Sequence, residues 1–96
     1  MVVDEDHPYD DQKLNKTEFI RTFSCDVLDE ELKWHYDLND RIVEVLQGEG
    51  WELQFDDALP SMLKVGDVIY IPARLHHRIK RGTTDLKLRI REYDNG

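Results

Sequence analysis

Six short stretches in which apolar and polar residues alternate, at residues 18–25, 41–47, 51–55, 68–71, 76–80 and 86–91, recur along this chain. Alternation with period two sends successive side chains to opposite faces of a strand. Turn-forming residues separate them at Gly48-Glu49-Gly50, Asp56-Asp57, Val65-Gly66-Asp67 and Arg81-Gly82-Thr83-Thr84. Many short strands at nearly even spacing predict an all-β fold, an antiparallel sandwich or small β-barrel, whose closed form removes exposed strand edges. The helical signal is confined to residues 26–32, where Asp29, Glu30 and Glu31 suit the start of one turn before the β-like Trp34-His35-Tyr36. No internal repeat is evident.

With 96 residues the chain holds one core at most. Hydrophobic residues make up 40% and charged residues 35%, which excludes disorder throughout and a fibrous repeat. No apolar run approaches the ~20 residues that cross a bilayer, and Met1-Val2-Val3-Asp4-Glu5-Asp6 lacks the basic start and apolar stretch of a signal peptide. A cytoplasmic location is expected. The lone cysteine, Cys25, has no intramolecular disulfide partner; its strand spacing from Phe23 suits a small buried hydrophobe better than a nucleophile.

Charge is unevenly spread. Residues 1–12 contain five acids and no Lys or Arg, and residues 1–16 are expected to be a mobile acidic tail, followed by a single domain at 17–93 and a short end at 94–96. A formal net charge of −8 repels nucleic acid and anionic membranes, so neither is expected as a partner. Residues 74–91 are locally basic, with seven Lys or Arg against Asp85, and suit a small anion. Within that stretch Lys87, Arg89 and Arg91 alternate with Leu86, Leu88 and Ile90, which makes these three the solvated face of a strand.

Two segments are more specific. The first is Arg41-Ile42-Val43-Glu44-Val45-Leu46-Gln47-Gly48-Glu49-Gly50, and the second, about fifteen residues later, is Val65-Gly66-Asp67-Val68-Ile69-Tyr70-Ile71-Pro72-Ala73-Arg74-Leu75-His76-His77. Together they resemble the paired motifs of the cupin superfamily. There a strand ending in a Leu-x-Gly-Glu-like turn leads into a hairpin, and a Gly-Asp turn starts a strand ending in Pro, with a metal-binding His five residues beyond. The resemblance spans roughly residues 34–90 and implies a small antiparallel barrel of the jelly-roll (double-stranded β-helix) type. It places His77 at the second-motif ligand. Counting back from Gly48, His35 aligns with the first ligand of the first motif, Asp37 with the second, and Arg41 stands where the family has Glu. Arg74 stands where the family usually has Gly. Two imidazoles and a carboxylate are the ligand set of non-haem iron oxygenases, and the implied cofactor is a divalent metal, Fe, Mn, Zn or Ni.

Two readings of these residues stay open. In one, His35, Asp37 and His77 hold the metal in an enzyme of dioxygenase or isomerase/lyase type. Arg41, Arg74, Tyr70 and Trp51 then contact a small anionic organic molecule, the arginines through its negative group. In the other, Asp37 and Arg41 form a partly buried ion pair, the histidines are hydrogen-bonded barrel residues, and the chain is a noncatalytic ligand-binding or protein-interaction module. Outward Trp34 and Tyr36 would mark its contact face, and a homodimer suits either reading. His76 is expected to face away from His77. Trp51, Leu53 and Phe55, with Val43 and Val45, line the interior as core. Asp56 and Asp57 are solvated turn residues, no Walker loop, Cys-x-x-Cys pair or Gly-x-Ser-x-Gly elbow is present, and no catalytic residue is assigned.

Overall fold

The computed structural model describes residues 8–93. Eight strands follow one another: β1 (Tyr9–Lys13), β2 (Glu18–Phe23), β3 (Asp40–Gln47), β4 (Glu52–Phe55), β5 (Ser61–Met62), β6 (Val68–Ile71), β7 (His77–Lys80) and β8 (Leu86–Tyr93). One 3-10 turn, Asp29–Glu31, lies between β2 and β3, inside the segment expected to be helical. The strands form two antiparallel sheets, one ordered β1-β2-β8-β3-β6 and one ordered β5-β4-β7. This is the expected all-β architecture.

The alternation in β8 shows why the sheets close on each other. Leu86, Leu88 and Ile90 are buried while Lys87, Arg89 and Arg91 face outward. In register, Phe23 of β2 stands opposite Leu86, and Val43 of β3 stands between Ile90 of β8 and Ile69 of β6. On the smaller sheet Leu53 of β4 faces Ile79 of β7. Burial of each large aliphatic side chain contributes roughly 1.5–3 kcal/mol, so these rows hold the two sheets together. Val43, Val45, Trp51 and Leu53 are buried in this core, with Phe55 packed against it, as the alternation predicts.

The acidic tail needs correcting. Tyr9–Lys13, within the expected tail, is an edge strand paired with β2 from Tyr9↔Phe23 to Lys13↔Phe19. Two inward contacts offset its acidity: the Tyr9 ring meets Phe23 edge-on at 5.4 Å, and Arg21 takes both oxygens of Asp11 at 2.8 and 2.9 Å. Residues 1–7, including His7, and the end at 94–96 lie outside the described residues. Cys25 is half-buried and outside the core cluster; hydrogen bonding to Asp85, then burial, raises its thiol pKa, so the thiol is not activated.

The basic stretch is also consumed locally. Arg89 Nε and Nη2 reach Glu18 Oε2 at 2.9 and 2.7 Å, while Arg91 grips Glu18 Oε1. Arg89 and Arg91 are thus more than a solvated face: they enclose a buried carboxylate. Their hydrogen bonds, Arg89 first and Arg91 next, hold the Glu18 pKa below its ordinary value. A depressed folded-state pKa gives stability that is present above the unfolded value and lost as pH falls through the folded one. Glu18→Gln is therefore expected to lower the melting temperature at pH 7, with the gap to the unsubstituted protein closing as the pH drops below the ordinary glutamate range. Circular dichroism melts across that range check this; a gap independent of pH would show that the carboxylate charge contributes nothing.

Candidate metal centre and cavity

The site begins with an isolated antiparallel bridge. His35 N–H donates to His77 O at 3.0 Å and His77 N–H to His35 O at 2.8 Å, which ties the loop before β3 to the start of β7. Such a pair projects its two side chains to one side, and the imidazole centroids are 4.3 Å apart. Asp37, two residues after His35, follows the same alternation, and its carbonyl accepts the Arg74 N–H at 2.7 Å. Arg74 adopts a φ of 66°, the left-handed conformation that glycine takes most easily, so the turn keeps its shape without the glycine.

One ligand atom from each of His35, Asp37 and His77 lies within 4.8 Å of the others. Donors on a common ion at ~2.1 Å sit ~3–3.5 Å apart, a contraction within reach of small side-chain rotations. The chemistry of the atoms fits such an ion. His77 Nδ1 lies 2.9 Å from Leu75 O and His35 Nδ1 lies 3.1 Å from Lys33 O. A carbonyl only accepts, so each Nδ1 carries the proton and each neutral ring keeps Nε2 as a lone-pair donor. Burial is the largest cause lowering the His77 pKa, which favours that neutral, metal-binding form. Asp37 Oδ2 is buried, has no hydrogen-bond partner among the described residues, and sits 3.5 Å from His77 Nε2. A buried carboxylate oxygen left so is costly unless a cation completes it.

Arg41 is the fourth polar group. Its Nη1 is 3.2 Å from Asp37 Oδ1 and its Nη2 is 3.6 Å from Glu92 Oε2, while its buried Nε has no hydrogen-bond partner among the described residues. The Asp37–Arg41 ion pair therefore exists, on the carboxylate oxygen opposite the one facing His77. The four residues line a cavity of about 330 Å³ whose remaining wall is mostly apolar, including Val43, Leu53, Ile69, Ile71 and Leu88. That volume suits a small organic molecule.

Three residues expected to touch such a ligand stand elsewhere. Trp51 is fully buried against Phe23, its Nε1–H donating to Thr84 O at 2.6 Å, and does not line the cavity. Tyr70 lies between the cavity-lining Ile69 and Ile71, so strand alternation turns it outward; a hydrogen bond to Asp40, then burial, raises its pKa. Arg74 is exposed on its turn, away from the cavity wall. His76 is exposed with its ring against Tyr36 at 4.9 Å, facing away from His77 as expected. The sequence reading missed Arg21, which lines the cavity from β2. Its signal was the spacing Phe19, Arg21, Phe23, which puts an arginine on the inward face.

No protein-family model and no curated protein sequence matches the chain. Solved structures do. A chain from the DMSP lyases RdDddP and RnDddQII superposes with a TM-score of 0.70 at 20% identity, over 82% of this chain and 38% of that one. Hydroxypropylphosphonic acid epoxidase from S. wedmorenis, in complex with fosfomycin, gives 0.64 at 15% over 79% and 42%. A cupin-like protein from Thermotoga maritima gives 0.58 at 20% over 77% and 54%. The fold is a small antiparallel β-barrel shared with these structures, the cupin-like protein among them. This chain spans about two fifths of the lyase and epoxidase chains. Among the described residues no helix is long and apolar enough to cross a membrane.

Proposed function

We propose that this protein is a metal-binding cupin in which His35, Asp37 and His77 hold a divalent ion, Fe, Mn, Zn or Ni, and Arg41 receives the negative group of a small organic molecule. The observation that carries the reading is the buried Asp37 Oδ2, without a hydrogen-bond partner among the described residues, 3.5 Å from His77 Nε2 and in a cluster with two imidazoles whose Nδ1 protons are fixed by carbonyls. Such an ion supplies Lewis acidity, and Fe adds redox chemistry of the oxygenase type. The chain's own contribution is to orient the ligand through Arg41 and to exclude water with the apolar wall. The lyase and the epoxidase, the latter also crystallised in an Fe(II) form, support small-molecule chemistry on this fold.

Elemental analysis of protein purified without a histidine tag tests this. Near-stoichiometric Fe, Mn, Zn or Ni is expected, falling at least tenfold in Asp37→Ala and His77→Ala. A protein that stays empty after incubation with each metal would overturn the reading.

One observation favours a second reading, a noncatalytic interaction module. Trp34 and Tyr36 are 41% and 50% exposed, with the Arg78 guanidinium 4.7 Å from the Trp34 ring centre. Exposed aromatics beside an arginine are typical of protein contact surfaces. An empty triad together with a concentration-dependent rise in molecular mass would favour a second copy of this chain as the partner.

A further inference from the structure

Inward positions of β2 are Phe19, Arg21 and Phe23, and only the arginine lacks an apolar reason to point there. Its side chain is 11% exposed, slightly less than that of Arg41 at 14%. Enclosing a guanidinium this far is costly unless it is paired, and the pair is supplied by Asp11 of β1, which engages Nε and Nη2. The ring of Tyr9 supports the cation from one side, 3.6 Å from the guanidinium carbon to the ring centre.

Arg21 and Arg41 are close neighbours across the same wall. Their guanidinium carbons lie 5.1 and 5.7 Å from the centre of the Phe19 ring, so the two cations are at most about 11 Å apart. Both line the cavity; Asp11, which braces Arg21, does not, while Arg41 is braced by Glu92 from outside the cavity and by Asp37 within it, on the carboxylate oxygen turned away from His77. A cavity with two braced guanidiniums and an apolar wall matches a short molecule that is negatively charged at both ends. Bidentate recognition of carboxylate is what the planar arginine fork does best.

We infer that Arg21 is a second anion anchor, so that the cavity takes a short dianion, such as an α,ω-dicarboxylate, with one end at Arg41 and the other at Arg21. This rests on the metal-cupin reading above and adds the substrate class to it. Lys33 also lines the cavity but is exposed, as is the cavity-lining Glu31, so the half-buried Arg21 carries the selectivity.

Calorimetric titration of the metal-loaded protein with malonate, succinate and glutarate, each against the monocarboxylate of equal carbon number, tests the inference. The unsubstituted protein is expected to prefer the best diacid over its monoacid at least tenfold, and Arg21→Met to bring that ratio near one with metal content equal to that of the unsubstituted protein. Arg21→Lys, which keeps the charge and a pairing with Asp11 but loses the fork, lowers the ratio partway and serves if Arg21→Met does not fold. A ratio near one in the unsubstituted protein, or a ratio unchanged in a folded Arg21 variant, overturns the second anchor while leaving the metal centre standing. A protein that takes up no metal overturns the underlying reading instead. One that takes metal but binds neither acid overturns both the anchor and the anion role of Arg41.

Discussion

Trp51→Ala is expected to lower the midpoint of thermal unfolding by ~15 °C or more. Trp51 is the largest of the fully buried side chains. Truncating a buried tryptophan costs about 3–5 kcal/mol, and each kcal/mol shifts the midpoint by roughly 4–8 °C in a domain of this size. The surroundings cannot collapse easily onto the space. A Cβ at Gly82 would stand 2.4 Å from Trp51 Cδ1 and 2.1 Å from Glu49 O, which means the indole is packed directly against backbone. Trp51→Phe separates packing from hydrogen bonding. It keeps most of the volume but leaves Thr84 O without its indole donor, so a smaller loss of about 1–2 kcal/mol is expected. Scanning calorimetry or circular dichroism reads both. A Trp51→Ala midpoint within a few degrees of the unsubstituted protein would mean that the indole does not organise the core.

The same residue shows where sequence reading succeeds and where it stops. Alternation placed Trp51 correctly in the interior, because burial follows from period two. It could not tell core from cavity, because that depends on which stretch of wall the opposite sheet covers. Tyr70 is the converse case. Ile69 and Ile71 face the cavity, so the alternation already turned Tyr70 outward, and only the attraction of a polar group near a site argued otherwise. β6 was legible to the residue, at Val68–Ile71, because Gly66 and Pro72 bracket it. β1 was not, since one aromatic among acids carries no apolar pattern, and what holds it is Arg21, ten residues away from Asp11. Two-residue β5 is too short for any periodicity. His35, Asp37 and His77 were gathered by motif spacing, and the structure brings the three together through a backbone bridge that no local pattern announces.

Arg41→Glu is expected to raise divalent-metal affinity by at least a hundredfold and to abolish preferential binding of organic anions. Arg41 sits 3.2 Å from Asp37, whose other oxygen faces His77. Unit charges ~6 Å apart interact with about 3 kcal/mol at an effective dielectric constant of ~20, and a divalent ion doubles that. Glu92, 3.6 Å from Arg41, offsets part of the repulsion, so a net gain of about 3 kcal/mol is reasonable, or a hundredfold at about 1.4 kcal/mol per tenfold. Arg41→Met removes the same repulsion without adding a ligand and should gain about a hundredfold on that scale, with Arg41→Glu, which adds a carboxylate, gaining more. The reversal has a cost without metal. Glu at position 41 sets a third carboxylate beside Asp37 and Glu92, so the metal-free variant should melt below the unsubstituted protein and gain far more on adding Zn²⁺ or Mn²⁺. Competition against a chromophoric chelator gives the affinities, and melts with and without metal give the coupling. An Arg41→Glu protein that binds metal no more tightly than the unsubstituted one would place the binding determinants outside the field of this residue, and the triad would then be a hydrogen-bonded corner of the barrel rather than a metal centre.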